Sequence, residues 1–150
     1  MKKIHLILML PVFLTGCAGL PSLDDRPESH YLDIRSAPRM DALLNTATAK
    51  TGGDISNVYL LNDAHEAFVA RAALIEAADH TLDLQYYIWH NDLSGKLMFN
   101  LIHRAAERGV RVRLLLDDNN TNGLDNVLLA LDSHPNIEIR LFNPFVRRKW

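Results

Sequence analysis

The sequence predicts an α/β fold, in which two consecutive βαβ units build a mostly parallel sheet with flanking helices. Three observations predict it. Residues 81–89 alternate apolar and polar side chains at the period of a strand. Stretches beginning near 94 and 124 repeat apolar residues at helical spacing. Between and after them, 110–116 and 137–142 are short aliphatic runs bounded by turn residues. Strand, helix, strand, helix, strand with short connections implies parallel pairing through right-handed crossovers.

The elements follow in order. Asp63 and Glu66 have the spacing of a capping box, and Phe68, Ala72, Ile75 and Ala78 then recur at helical intervals, so a helix is expected over 63–79. The first strand, 81–89, places Leu82, Leu84, Tyr86 and Ile88 on one face and Asp83, Gln85, Tyr87 and Trp89 on the other. Ser94 is the expected cap of the next helix, whose apolar stripe is Leu97, Met98, Leu101, Ile102 and Ala105, and Gly109 is its left-handed end. A second strand over 110–116 runs into the turn-rich segment 117–123. A helix over 124–131 uses Leu124, Val127, Leu128 and Leu131, and a third strand over 137–142 stops at Asn143-Pro144.

The preceding residues are of a different character. Met1-Lys2-Lys3 and an apolar run from Ile4 to Leu14 have the pattern of an export leader, and the run is shorter than the roughly 20 residues a membrane-spanning helix needs. Leu14-Thr15-Gly16-Cys17 resembles the lipobox of bacterial lipoproteins, which implies cleavage before Cys17 and acylation of that residue. Several acyl chains anchor a protein stably at about 0.8 kcal/mol per buried CH₂. Ala18, after the cysteine, resembles the outer-membrane rather than the inner-membrane sorting pattern. The expected organisation is therefore a signal peptide over 1–16, a lipidated cysteine and tether over 17–56, and an incomplete domain over 57–150. The tether carries Pro21, Pro27, Pro38 and Gly52-Gly53, with a short helix-like stretch near 41–50.

Composition narrows the partners. The formal net charge is −2, and loss of Lys2 and Lys3 with the leader makes the mature chain more acidic, so no basic excess points to nucleic acid. Cys17 is the single cysteine, which excludes a disulfide framework. No glycine-rich phosphate loop of the Walker or dinucleotide kind is present.

In parallel sheets ligands sit off the carboxyl ends of the strands. That edge here offers Trp89, His90, Asn91 and Asp92, then Asp117 to Asn120, then Asn143. Trp89, His90, Asp117 and Asp118 are the substrate-pocket candidates. Asp117 and Asp118 suit a turn and helix entry, a polar network at the mouth of a site, or a Mg²⁺ site, although no third carboxylate is evident from the spacing. His90 is a loop histidine at the same edge, His103 belongs to a wet helix face, and Tyr86, Tyr87 and Trp89 suit sheet packing. The segment from Phe142 to Trp150 interleaves aromatic and basic residues as an element cut short does.

Residues 81–89, with Leu84-Gln85-Tyr86-Tyr87-Ile88-Trp89 at their centre, together with Ser94-Gly95-Lys96-Leu97 and the run from Ala105 to Asp118, closely resemble the first half of the N-terminal catalytic domain of the phospholipase D superfamily. Within it the resemblance is to the lipoprotein-type cardiolipin synthases of Gram-negative bacteria, over about 60–146. The resemblance implies phosphatidyl transfer between envelope phospholipids without metal or cofactor, through two copies of His-x-Lys-x₄-Asp. One histidine forms a phosphohistidine and the other protonates the leaving alkoxide, while the lysines hold phosphate oxygens. Two positions after His5, His30, His65, His80, His90, His103 and His134 stand Ile7, Leu32, Ala67, Leu82, Asp92, Ala105 and Asn136, so the motif is absent. The expectation is a truncated chain with no catalytic residue of its own, whose uncovered strand edges and apolar faces favour association. The alternatives are a non-catalytic, membrane-tethered α/β module, and a Mg²⁺-dependent phosphatase-like domain built on Asp117 and Asp118.

Overall fold

The computed structural model describes residues 22, 24–33, 37–48 and 58–145. The leader, the Leu14–Cys17 motif, Gly52-Gly53 and residues 146–150 lie outside the described residues. Contacts divide the chain into Met1–Tyr31 and Leu32–Trp150. In the first unit Asp24 and Asp25 form a turn, and Glu28 pairs with His30 at 3.1 Å.

The second unit opens with α1 (Pro38–Thr48), close to the helix-like stretch expected at 41–50. Proline at the first position has no amide to leave unpaired. Within the span read as a tether, this helix touches the domain. The Arg39 amide donates to Asp79 Oδ2 at 2.8 Å, and its guanidinium reaches Asp79 at 3.5 Å and the Glu76 carbonyl at 3.3 Å.

Helix α2 (Ala64–Ala77) is capped by Asp63, whose carboxylate accepts from the amides of His65 and Glu66. The Glu66 carboxylate accepts instead from the Tyr59 hydroxyl at 2.5 Å. Ile75 and Ala78 are buried, as their spacing implies. At the other end Arg108 donates to the carbonyls of Ile75 and Glu76 at 3.0 and 3.3 Å, so a cation closes the negative end of α2.

Strand β1 (Thr81–Tyr86), helix α3 (Leu93–Glu107), strand β2 (Arg111–Asp117), a 3₁₀ turn (Asp118–Asn120), helix α4 (Asp125–Asp132) and strand β3 (Ile137–Phe142) complete the unit. The sheet is parallel in order β1-β2-β3, as two right-handed crossovers in one direction require. Three apolar rows cross it: Leu82, Val112 and Ile137; Leu84, Leu114 and Ile139; Tyr86, Leu116 and Leu141. These rows pack with Ile75, Phe99, Ile102, Leu124 and Leu128 into one core on the helical side. The opposite face stays open among the described residues and is charged rather than apolar towards its amino end. There Asp83 pairs with Arg113 across the ladder at 2.7 Å, and Glu138 pairs with Arg140 on β3.

Three local expectations are corrected. The first strand stops at Tyr86 and not at Trp89. The β1 ladder ends at the Tyr86–Leu116 pair, after which the chain bends at Tyr87. The alternation is thereby broken, so Ile88 turns out to solvent and Trp89 turns in. The cap of α3 is Asp92 rather than Ser94: the carboxylate accepts from the Gly95 amide at 2.8 Å and the Ser94 hydroxyl at 2.7 Å. The buried stripe of α3 is Met98, Phe99, Ile102, Ala105 and Ala106, with Leu97 exposed, because Phe99 is drawn inward beneath Trp89. Gly109 ends α3 as expected, with φ +87° and the paired bonds Gly109 N to Ala106 O and Val110 N to Ala105 O.

Three carboxylates carry a pH dependence. Backbone amides, that of Glu66 foremost, hold Asp63 below the ordinary aspartate range, the Arg113 hydrogen bond does so for Asp83, and the Gly95 amide for Asp92. A lowered folded-state value means stability that is fully present above the unfolded value and lost as pH falls through the folded one. Chemical denaturation should therefore give level stability near pH 6 and a decline below about pH 4. Stability that rises on acidification below that point would contradict these assignments.

Candidate functional site

The loops leaving the three strands meet at their carboxyl ends, and β2 supplies the groups that join them. Asp117 accepts from the Asn119 amide at 2.9 Å and lies 3.5 Å from the Asn143 side-chain nitrogen beyond β3. Asn120 donates to the Tyr87 carbonyl beyond β1 at 3.3 Å. Asp118 is 2% exposed; it accepts from the Thr121 hydroxyl at 2.7 Å and from the Phe145 amide at 2.7 Å. Asn143 between them takes φ 51°, a left-handed turn that asparagine tolerates.

Aspartate and asparagine after a strand are expected as turn formers, because their short side chains bond the backbone two residues on. Asp117 does this to Asn119. Asp118 does more, since its second oxygen ties down a backbone amide 27 residues later. The Asp117–Asp118 pair is thus both a turn and a polar network. Among the described residues no third carboxylate or histidine joins the two as a metal-ligating group.

The other two candidates are placed differently. Trp89 is 4% exposed, stacked on Phe99 at 4.4 Å and 22° and edge-on to Tyr86 at 4.8 Å. Its indole N–H is buried without a hydrogen-bond partner among the described residues, beside Gly95. His90 is exposed. Trp89 and His90 border a hollow of about 140 Å³ with Phe68, Arg71 and Ser94. Asp117 borders a second hollow of about 150 Å³ with Gln85, Leu115 and Phe142. Tyr86 lines both hollows, and burial raises its hydroxyl above the ordinary value, with the Arg71 charge acting in the opposite direction. The four candidates therefore share one sheet edge without converging on one cavity. Asn120, within the edge the sequence offers, and Thr121, just beyond it, belong to the same network; the run of turn-forming residues from Asp117 to Gly123 is the signal that reaches Thr121.

What this edge can do chemically is order loops and offer hydrogen-bond acceptors. Among the described residues no histidine–lysine pair of the kind phosphoryl transfer would use stands in it.

No family model matches. The chain is 62% identical over 88 residues to cardiolipin synthase C of Escherichia coli, an alignment covering 59% of this chain and 19% of that protein. It is 34% identical over 149 residues to an uncharacterized protein of Helicobacter pylori, covering 97% and 29%. It is 30% identical over 129 residues to cardiolipin synthase A of Pseudomonas entomophila, covering 86% and 25%. The aligned stretches thus span between 19% and 29% of these relatives' length. Among solved structures, the archaeal chromatin protein TrmBL2 superposes with a TM-score of 0.50 at 16% identity, over 71% of this chain and 42% of that one. At that identity the likeness concerns the fold alone.

Proposed function

We propose that this chain, a cardiolipin synthase-like member of the phospholipase D superfamily, forms the opening βαβαβ scaffold of a phosphatidyltransferase acting on envelope phospholipids. The observation that carries the reading is the 62% identity over 88 residues with a cardiolipin synthase. The Asp117–Asp118 network supports it, because it orders the loops at the sheet edge where ligands of parallel α/β folds bind.

The transfer itself would proceed in two displacements. A histidine nitrogen attacks the phosphodiester phosphorus, the bond to the leaving alkoxide breaks, and a second histidine protonates that alkoxide. A hydroxyl of a second lipid then displaces the histidine, giving its proton back to the second histidine. Residues 1–150 contain no His-x-Lys-x₄-Asp, and their part in this proposal is scaffold and loop order. Attachment to the membrane through acylated Cys17, with the domain on the periplasmic side, belongs to the same proposal, with the outer membrane favoured by Ala18. Among the described residues no helix is long and apolar enough to cross a membrane.

Two measurements test this. The residues of this chain, exchanged for the aligned segment of the Escherichia coli enzyme, should sustain cardiolipin formation in cells lacking their own synthases. The 150-residue chain alone, given vesicles of envelope phospholipid, should show no phosphodiesterase or transphosphatidylation activity. An expressed but inactive exchange protein would overturn the family assignment of function. Turnover by the chain alone would overturn the scaffold role.

A further inference from the structure

At the amino end of the sheet, away from the Asp117–Asp118 network, three ligand-type side chains converge. His103 and Glu107 stand one turn apart on the wet face of α3, and His134 lies in the turn between α4 and β3. One ligand atom from each lies within 4.8 Å of the others. His134 Nε2 is 2.9 Å from Glu107 Oε1, and His103 Nε2 is 3.9 Å from the same oxygen. The two imidazole rings are 5.5 Å apart and 74° to each other.

We infer that His103, Glu107 and His134 form a binding site for a borderline divalent ion of the Zn²⁺ type. Two imidazole nitrogens and one carboxylate oxygen are a donor set that Zn²⁺ takes in tetrahedral sites, with water in the fourth position. Mg²⁺ and Ca²⁺ prefer all-oxygen sets and are poor candidates. Zinc ligands about 2.0–2.1 Å from the ion lie about 3.3 Å from one another, so a small inward swing of half-exposed His103 brings its 3.9 Å separation from Glu107 into range. The bound ion would tie the last turn of α3 to the segment entering β3.

One contact sets the character of the site. The Asn136 amide donates to His134 Nδ1 at 3.1 Å, which places the ring proton on Nε2, where Glu107 accepts it. Zn²⁺ at Nε2 requires that proton on Nδ1, so the Asn136 contact must open as metal binds. The site therefore fills at the expense of a hydrogen bond, and the Asn136 amide reports on it.

The test is titration of the full, tag-free 150-residue chain with Zn²⁺, followed by calorimetry and by the amide resonance of Asn136. The expected result is one saturable ion per chain, a shift at Asn136, a raised Tm, and no response to Mg²⁺. His103→Ala and His134→Ala should each weaken binding by more than about tenfold, since loss of even an outer-shell partner costs that much. His103 is exposed on a helix, so its replacement by alanine leaves folding intact and circular dichroism can confirm it. Binding of equal strength in wild type and both variants would mean independent surface histidines and would overturn the site. So would an absence of saturable binding.

Discussion

Gly95→Ala is expected to destabilise the domain by about 2 kcal/mol or more, the usual scale of overpacking, although alanine is otherwise the better helix former by ~1 kcal/mol. The sign is decided by contact. A Cβ on Gly95 would stand 2.1 Å from the His90 carbonyl oxygen and 3.0 Å from Trp89 Nε1. A backbone carbonyl cannot swing aside as a side-chain tip can, so the 89–91 loop must move, and Trp89 must leave its stack on Phe99. For a domain of this size the loss corresponds to a fall in Tm of roughly 10 °C. Near-ultraviolet circular dichroism should lose intensity from the buried indole at the same time. A variant melting at or above the wild-type temperature would show that the loop does not press on Gly95.

Asp118→Ala is expected to cost about 2 kcal/mol, because a hydrogen bond to a carboxylate is worth roughly 1.5–3 kcal/mol and one donor is orphaned. The Phe145 amide loses its acceptor, and the Thr121 hydroxyl, whose residue is fully buried, keeps only the Asp118 backbone carbonyl at 3.1 Å. Asp118→Asn should cost less than half as much. The asparagine oxygen can accept from the Phe145 amide while its NH₂ donates to the Thr121 hydroxyl, which in turn donates to the Asp118 backbone carbonyl. Denaturant unfolding of the variants measures the order, and hydrogen exchange at Phe145 should accelerate in both. Stability of the alanine variant within about 0.5 kcal/mol of wild type, the scale of an ordinary surface change, would remove Asp118 from the network. In the exchange protein with the Escherichia coli synthase, the same variant tests whether loop order at this edge matters to transfer.

Much of the fold was legible because the signals are local. The bounds of β3 are those expected, Ile137 to Phe142. Asp63 caps α2 and Gly109 ends α3 for reasons contained in a few residues of chain. The parallel pairing of the strands followed from the alternation of strands and helices with short connections. The candidate edge was legible too, as a run of turn formers after β2, but its division of labour was not. Asp117 and Asp118 read alike in sequence, yet one is half-exposed and the other buried, according to which oxygen faces the returning chain at Phe145.

The misplacements share a cause. Period-2 alternation continues through Trp89 on paper, but the β1 ladder ends at the Tyr86–Leu116 pair and β2 itself stops at Asp117, so Ile88 and Trp89 have no strand beside them. Once the chain bends there, Trp89 falls onto α3, and that contact selects Phe99 over Leu97 for the core. Likewise Ser94 and Asp92 are both good caps, and the direction from which the chain enters α3 chooses Asp92. The one-turn spacing of His103 and Glu107 is visible in sequence, but His134, 27 residues beyond Glu107, reaches them only because the βαβ crossover brings the α4–β3 turn beside the end of α3.

The sequence by itself determined the α/β class, the parallel direction of the strands, and the resemblance to the phospholipase D superfamily, because periodicity, caps and motif wording are properties of neighbouring residues. Tertiary structure alone decided where β1 ends, which face of α3 is buried, that Asp118 holds the chain beyond β3, and that two histidines and a glutamate meet at the far end of the sheet. Each of those outcomes depends on which distant segment arrives at a given point, and a local pattern carries no such information.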